Sequence, residues 1–197
     1  MPKLTLDDIS DLRAYERDRE EFRRAVMDVK RRRRVPVGDF VTLVFENSTT
    51  VRFQIQEMAR AEKLISDDAI ETELRIYNPL VPEPGQLCAT LFIELTSKAE
   101  LEEWLPKLVG IERSVAVRLP DGDAVPALVD EDHEEQLTRE EVTASVHYLR
   151  WQFVPDQIDR FQGGTVRLEI NHPNYQASTE LGPATHAELS ADLVEGG

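Results

Sequence analysis

The spacing of apolar residues changes once along this chain of 197 residues, and that change limits the folds open to it. Before Pro79 the apolar positions recur mainly at helical spacing, whereas after Gly85 they form mainly short runs that are typical of strands. Helices followed by a run of strands favour an α+β fold, because a parallel sheet would need the two kinds of element to alternate. We therefore expect N-terminal helices packed on a mostly antiparallel sheet of about five to six strands.

The first part of the chain predicts three helices and one strand. We expect helices over 11–34, 49–65 and 67–77, and a strand over 40–45. The first helix should stop near Pro36, because proline disfavours helical backbone at the residue before it. Its apolar stripe consists of Leu12, Tyr15, Phe22, Val26 and Val29.

The second part predicts strands joined by turns. The segment 142–153 also fits helical spacing, but its aromatic and β-branched residues favour a strand. Asp121-Gly122 predicts a hairpin, and a short helix should begin at Ser97 and end before Pro106. The strands are expected over 87–95, 114–119, 125–129, 143–153 and 165–171.

The chain is interpreted as one domain over 1–197. The proline-rich connector 80–85 is too short for a flexible linker between domains. Little apolar content follows Pro173, which predicts a tail with a short helix near 185–193 that then frays. The four parts of the domain are the N-terminal helix (1–38), a strand–helix–helix unit (39–79), a mainly β region (86–172) and the tail (173–197).

Composition limits the class of protein. A net charge of −15 disfavours nucleic acid and anionic membranes as partners. Cys88 is the single cysteine, which excludes an internal disulfide framework and a multi-cysteine metal site. No apolar run approaches the length of about 18 residues that a membrane span needs, and the first residues lack the apolar core of a signal peptide. We expect a reduced, cytoplasmic protein.

The charges are segregated along the chain. Residues 1–34 carry 11 Lys/Arg and 8 Asp/Glu, whereas the remainder carries 12 and 30. The basic run could bind nucleic acid, could be favoured by the negative end of the first helix, or could dock on an acidic segment of this chain or of a partner. One acidic segment, 130–135, is interpreted as a solvated loop rather than a cation site. The basic run consists of Lys30, Arg31, Arg32, Arg33 and Arg34.

Polar residues lie close to the apolar stripe of the helix expected over 49–65. The stripe contains Val51, Ile55, Met58 and Ile65, and Glu62 lies within it. Buried polar groups need partners, so these residues form either a structural network or a polar pocket between this helix and the sheet. The candidate pocket residues are Gln54, Glu57, Arg60, Glu62 and Arg150.

Carboxylates and histidines near strand ends and the core could bind a metal. Carboxylate and imidazole groups are common ligands of iron and other divalent metals, although a core histidine is more often held by protein groups. The local sequence of Cys88 is apolar, which favours a buried structural thiol over a catalytic one. The metal-ligand candidates are Glu46, Glu57, Glu94, His147 and His172.

Seven short segments are distributed over nearly the whole chain: FEN at 45–47, QEMARAE at 56–62, YNPL at 77–80, ATLFIE at 89–94, LVGIE at 108–112, HYLR at 147–150 and NHPNY at 171–175. Together they resemble the bacterial DUF3501 family. The resemblance supplies no catalytic residues. Members of this family are often encoded near rubrerythrin-like and iron–sulfur oxidoreductase proteins, which implies a role in redox or peroxide handling.

Three hypotheses of function follow. The first is an accessory protein for an iron-dependent redox protein. The second is a metal-binding protein or enzyme with a carboxylate and histidine site, and the third is nucleic-acid binding through the basic run. The sequence contains no HExxH, Walker, GxGxxG or GxSxG motif, so it leaves open whether the protein is an enzyme.

Overall fold

The computed structural model describes residues 3–129 and 142–197. Within this part of the chain an α+β fold is present, as the sequence predicts, and none of its helices is long and apolar enough to span a bilayer. The α-helices in the described residues are α1 (Leu12–Arg33), α2 (Ser48–Glu62), α3 (Asp67–Tyr77), α4 (Lys98–Trp104), α5 (Pro155–Gln162) and α6 (Pro183–Glu195). The strands are β1 (Arg34–Pro36), β2 (Val41–Phe45), β3 (Gln86–Ile93), β4 (Val115–Arg118), β5 (Ala124–Pro126), β6 (Leu128–Val129), β7 (Val146–Gln152), β8 (Arg167–His172) and β9 (Tyr175–Glu180).

The strands form two antiparallel sheets rather than the single sheet expected from the sequence. One sheet has the order β1-β2-β3-β7-β6 and the other the order β5-β4-β8-β9. The region expected as one strand over 125–129 is split, because β5 pairs with β4 whereas β6 pairs with β7. The hairpin at Asp121-Gly122 is confirmed, and Gly122 has the positive φ of 91° that its turn requires.

The five-stranded sheet is covered on both faces. One face contributes Leu43, Leu91 and Trp151 to a core that also contains side chains of the second sheet, such as Leu168. The opposite face is covered by α2 and α3, whose apolar residues form a second core cluster. We call this second surface the helix-covered face; it carries Glu46, Cys88, Thr90, Tyr148 and Arg150.

The end of α2 differs from the helix expected through Ile65. The helix ends at Glu62, because Lys63 adopts left-handed backbone with φ of 56° and the Leu64 N–H donates to the Ala59 carbonyl. The sequence gives no glycine to mark this stop. Glu62 and Ile65, which were assigned to the apolar stripe, are consequently both exposed.

The region after Pro173 is an ordered part of the fold. The short helix expected near 185–193 is present as α6, whereas the fraying expected after it is not observed. Strand β9 pairs with β8 along its whole length, and α6 buries Leu189 and Leu193 in the main core. The Gly197 N–H donates to the Pro82 carbonyl at 3.1 Å. Strand β9 was missed because its inward-facing residues are Tyr175, Ala177 and Thr179. Two of these are small, so together they give only a weak apolar pattern.

A buried ion pair joins the first helix to the last one. The Arg33 guanidinium is 3% exposed and donates two hydrogen bonds to Asp192, at 2.6 and 2.9 Å. Its Nε also donates to Glu188 at 3.1 Å. Because Arg33 and Asp192 are both out of water, each depends on nearby opposite charge, and the bidentate contact between them is the shortest one that Arg33 makes with a carboxylate.

We predict that Asp192→Ala lowers the free energy of unfolding by about 3–5 kcal/mol, because it leaves the buried Arg33 charge without its bidentate partner. Urea unfolding followed by circular dichroism measures this difference. Arg31→Ala is the matched control, since Arg31 pairs with Asp28 on the surface and should cost within about 0.5 kcal/mol. Equal losses in the two variants would contradict the prediction.

Candidate functional site

Three polar side chains lie in one row across the helix-covered face. Cys88 on β3 is paired in register with Arg150 on β7. On the other side of β3, the Glu46 N–H donates to the Cys88 carbonyl at 2.8 Å, which places Glu46 next to Cys88. The row therefore runs from a carboxylate through a thiol to a guanidinium.

The Glu46 carboxylate is the buried end of this row. It is 2% exposed, and its two oxygens accept hydrogen bonds from the hydroxyls of Thr90 at 2.6 Å and Thr50 at 2.5 Å. Thr50 is fixed because Asn47, the N-cap of α2, accepts a hydrogen bond from its backbone N–H. The cap of α2 thus holds the carboxylate against the sheet.

A narrow cleft opens at the other end of the row. It has about 30 Å³ of room for the centres of water molecules, enough for one or two waters but not for a larger ligand. Burial raises the pKa of the Cys88 thiol to about 12, so the thiol is protonated at neutral pH. The cleft is lined by Ile76, Pro79, Leu80, Cys88, Leu128, Tyr148, Leu149 and Arg150.

Gln54 is the residue of α2 that faces this region. Its side chain forms hydrogen bonds with Tyr77 and Tyr148, and burial raises the pKa of both tyrosines. Tyr148 also lines the cleft beside Arg150. Of the five residues expected in a polar pocket, Gln54 and Arg150 therefore lie on the helix-covered face.

Glu57 instead faces α1. Its carboxylate accepts hydrogen bonds from the Tyr15 hydroxyl at 2.7 Å and from Arg19 at 2.8 Å through each of two nitrogens. Arg60 Nε lies 3.5 Å from the same carboxylate. The Arg19 hydrogen bonds are the main reason that the pKa of Glu57 falls to about 2. Glu62 is exposed and takes no part in this cluster.

The five metal-ligand candidates lie in separate places. Glu46 and Glu57 are held as described above. Glu94 pairs with Arg34 and accepts a hydrogen bond from Thr42 at 2.6 Å, which lowers its pKa. In the part of the chain that the structure describes, no group of three or more His, Cys, Asp or Glu residues is arranged to hold a metal ion.

The two histidine candidates are buried and bonded to backbone carbonyls. His172 Nε2 lies 3.0 Å from the Val109 carbonyl, and its Nδ1 accepts from the Asn174 N–H at 3.2 Å. His147 Nε2 lies 2.9 Å from the Ala144 carbonyl. Its Nδ1 lies 3.9 Å from Glu112, a carboxylate that is 1% exposed and that the sequence did not identify. No apolar pattern marked Glu112, because it lies in a 3₁₀ turn.

All five cations of the basic run contact groups of this chain. Lys30 lies over the Phe53 ring, and Arg31 pairs with Asp28. The other three, Arg32, Arg33 and Arg34, pair with Glu188, Asp192 and Glu94, respectively. The structure therefore shows four of the five cations paired with carboxylates of their own chain. The acidic segment 130–135 lies outside the described residues.

These features define an α+β protein with two antiparallel sheets and a polar row on the face of one sheet that α2 and α3 cover. The family model described as "Protein of unknown function (DUF3501)" matches residues 3–193, and the chain belongs to this family. A crystal structure of a novel protein of unknown function from Burkholderia pseudomallei is 36% identical and superposes with a TM-score of 0.90, covering 98% of this chain and 100% of that one. No curated protein matches the chain.

We predict that Glu57→Gln lowers the free energy of unfolding by about 2 kcal/mol at pH 7, because it removes the charge that Arg19 and Tyr15 bond. Solvent screening at this partly exposed site makes the loss smaller than the pKa shift alone would give. The carboxylate of the folded protein stays ionised down to a pH of about 2, below its ordinary pKa of 4.5. The difference in free energy of unfolding between variant and wild type therefore has its full value above about pH 4.5 and is lost as the pH falls through 2.

Glu62→Gln is the matched control on the same helix, since Glu62 is exposed. It should change stability by less than about 0.5 kcal/mol at every pH. A loss for Glu57→Gln that does not diminish between pH 5 and pH 3, measured by urea unfolding, would show that the carboxylate charge is not its cause.

Proposed function

We propose that the protein is an accessory protein that acts by binding a positively charged partner protein rather than by catalysis. The observation that carries this proposal is the docking of the basic run on the chain's own carboxylates. With four of the five cations paired with carboxylates, the surface open to other molecules is dominated by the acidic remainder of a chain with net charge −15.

The sign of this charge selects the partner. An acidic surface attracts a basic protein over distances of about 10 Å at moderate salt and repels phosphates. Complementary charge raises the rate of encounter more than it raises the final affinity. A partner bound in this way should be released by salt, and nucleic acid is not expected to bind.

The polar side chains of the site support binding over catalysis. Burial keeps the Cys88 thiol protonated, and Glu57 is held by a bidentate arginine. His172 uses both ring nitrogens in contacts with the backbone. Groups held in this way maintain the fold, because a catalytic base or nucleophile needs an accessible atom and a pKa suited to its task.

The finer part of the proposal is the identity of the partner class. The family resemblance implies an iron-dependent redox protein, of the rubrerythrin-like or iron–sulfur kind. The accessory protein would then act in iron or peroxide metabolism through its partner's metal centre rather than through one of its own.

A metal-binding function is the second candidate, and the pair formed by Glu112 and His147 favours it. The two side chains are almost fully buried, and His147 Nδ1 lies 3.9 Å from a Glu112 oxygen, so two side chains of metal-ligand type lie close together. We predict that elemental analysis of tag-free protein from iron-replete, anaerobic expression finds less than about 0.1 metal ion per chain under the accessory proposal. Stoichiometric metal that His147→Ala removes would favour the second candidate.

We predict that the tagged protein captures an iron-dependent redox protein from a lysate of its source organism at about 50 mM salt, and that about 0.5 M salt releases it. Iron analysis and mass spectrometry of the eluate identify the partner. Recovery of no redox protein at low salt would overturn the proposal, and recovery that salt does not affect would overturn its electrostatic basis.

A further inference from the structure

An apolar groove lies where the start of the chain crosses the corner between α2 and α3. It offers about 320 Å³ of room for the centres of water molecules, roughly ten times the room in the Cys88 cleft. This is the size of a site that takes large side chains of a ligand. The apolar residues that line it are Leu6, Ile9, Leu12, Ala59, Leu64, Ile65 and Ile70.

Ile65 stands at the edge of this groove and is 88% exposed. It precedes Ser66, the N-cap of α3, where an apolar residue often packs on the fourth residue of the helix, here Ile70. Its exposure shows that this contact leaves almost the whole side chain in water. The left-handed backbone of Lys63 directs the chain out of α2 just before this point, so the exposure of Ile65 follows from the backbone of the corner.

The rim of the groove is acidic. Segments 6–13 and 62–71, which border it, contain seven Asp or Glu residues and two Lys or Arg residues. Asp11 and Asp67 line the groove directly, together with one cation, Arg13. An apolar floor with an acidic rim is complementary to a segment that presents apolar side chains flanked by cations.

The shape of the surface favours a helix as the occupant. A second hollow, between α1 and α2, meets the groove at Ser10. It offers about 420 Å³ of room for the centres of water molecules. That hollow is lined by Phe22, by Asp18 and Glu21, and by one cation, Arg52, so apolar residues again stand beside more acidic than basic ones. An extended surface of this kind fits the row of apolar residues on one side of an amphipathic helix.

We infer that this groove, which we call the Ile65 groove, is the docking site for a basic amphipathic helix of the partner protein. The inference rests on the proposed function and specifies the surface that performs it. A second copy of this chain is a poor occupant, because it carries the same charge of −15 and its basic run is docked on its own carboxylates. The partner helix inserts apolar side chains beside Ile65 and places lysine or arginine next to Asp11 and Asp67.

A model peptide tests the groove without knowledge of the partner. The probe is a labelled helical peptide of about 18 residues, with leucine at i, i+3, i+4 and i+7 and lysine elsewhere. Fluorescence anisotropy should show binding that Ile65→Asp weakens by about tenfold or more, because the change puts a charge into the apolar contact. Amide chemical-shift changes on binding should concentrate at residues 6–13 and 59–71.

Val194→Asp is the matched control, since Val194 is 56% exposed on α6, away from the groove. It should leave the affinity for the peptide within about twofold. A peptide that does not bind at low salt, equal weakening in the two variants, or shift changes confined to other surfaces would each overturn the Ile65 groove. A peptide of the same composition with its leucines scrambled should bind at least about tenfold more weakly.

The capture experiment, repeated with both variants, separates this inference from the proposed function. If the wild type and Val194→Asp recover a redox protein and Ile65→Asp does not, both stand. Equal recovery by all three proteins would overturn the groove and leave the accessory function in place. Groove-specific binding of the peptide with no redox protein in the wild-type eluate would support the groove and overturn the redox assignment.

Discussion

Strands β2 and β3 are buried on both faces, and this double burial determines which polar groups can lie between the strands and the helices that cover them. A strand with one face in water can carry polar groups at every second position. Here those positions lie under α2 and α3, so each polar group must find a protein partner. The two threonine hydroxyls on Glu46 and the contact of Gln54 with two tyrosines meet this requirement. The polar row is thus a consequence of the architecture as much as a sign of function.

The parts of the fold that were predictable are those that local rules determine. Helix α3 spans the residues expected, because Ser66 caps its start and Asn78-Pro79 ends it. The end of α2 was not predictable, since Lys63 adopts left-handed backbone that favours glycine. The same limit applies to the site. Glu57 lies near Arg60, three residues on along the same helix, but its main partner, Arg19, lies 38 residues away on another helix. No local pattern reports such a contact, because tertiary packing determines it.

The basic run shows how one sequence feature can satisfy two physical requirements. Cations in the last turn of α1 are favoured by the negative end of the helix, and the same cations neutralise carboxylates brought from distant parts of the chain. This dual role removes the need for a nucleic-acid partner to explain the run. Because the cations of the basic run are paired elsewhere, they do not neutralise the acidic residues around the Ile65 groove, and that surface keeps its negative charge.

The distance along the chain between Arg33 and Asp192 has a consequence for biosynthesis. The two residues are 159 positions apart, so the guanidinium emerges from the ribosome long before its carboxylate does. Contacts of such sequence separation form slowly, and domains fold as units once their parts are available. Until Asp192 is available, the Arg33 guanidinium therefore lacks its bidentate carboxylate and is more stable in water than buried. A chain that ends before Asp192 would have to bury this charge without that partner or leave the end of α1 undocked.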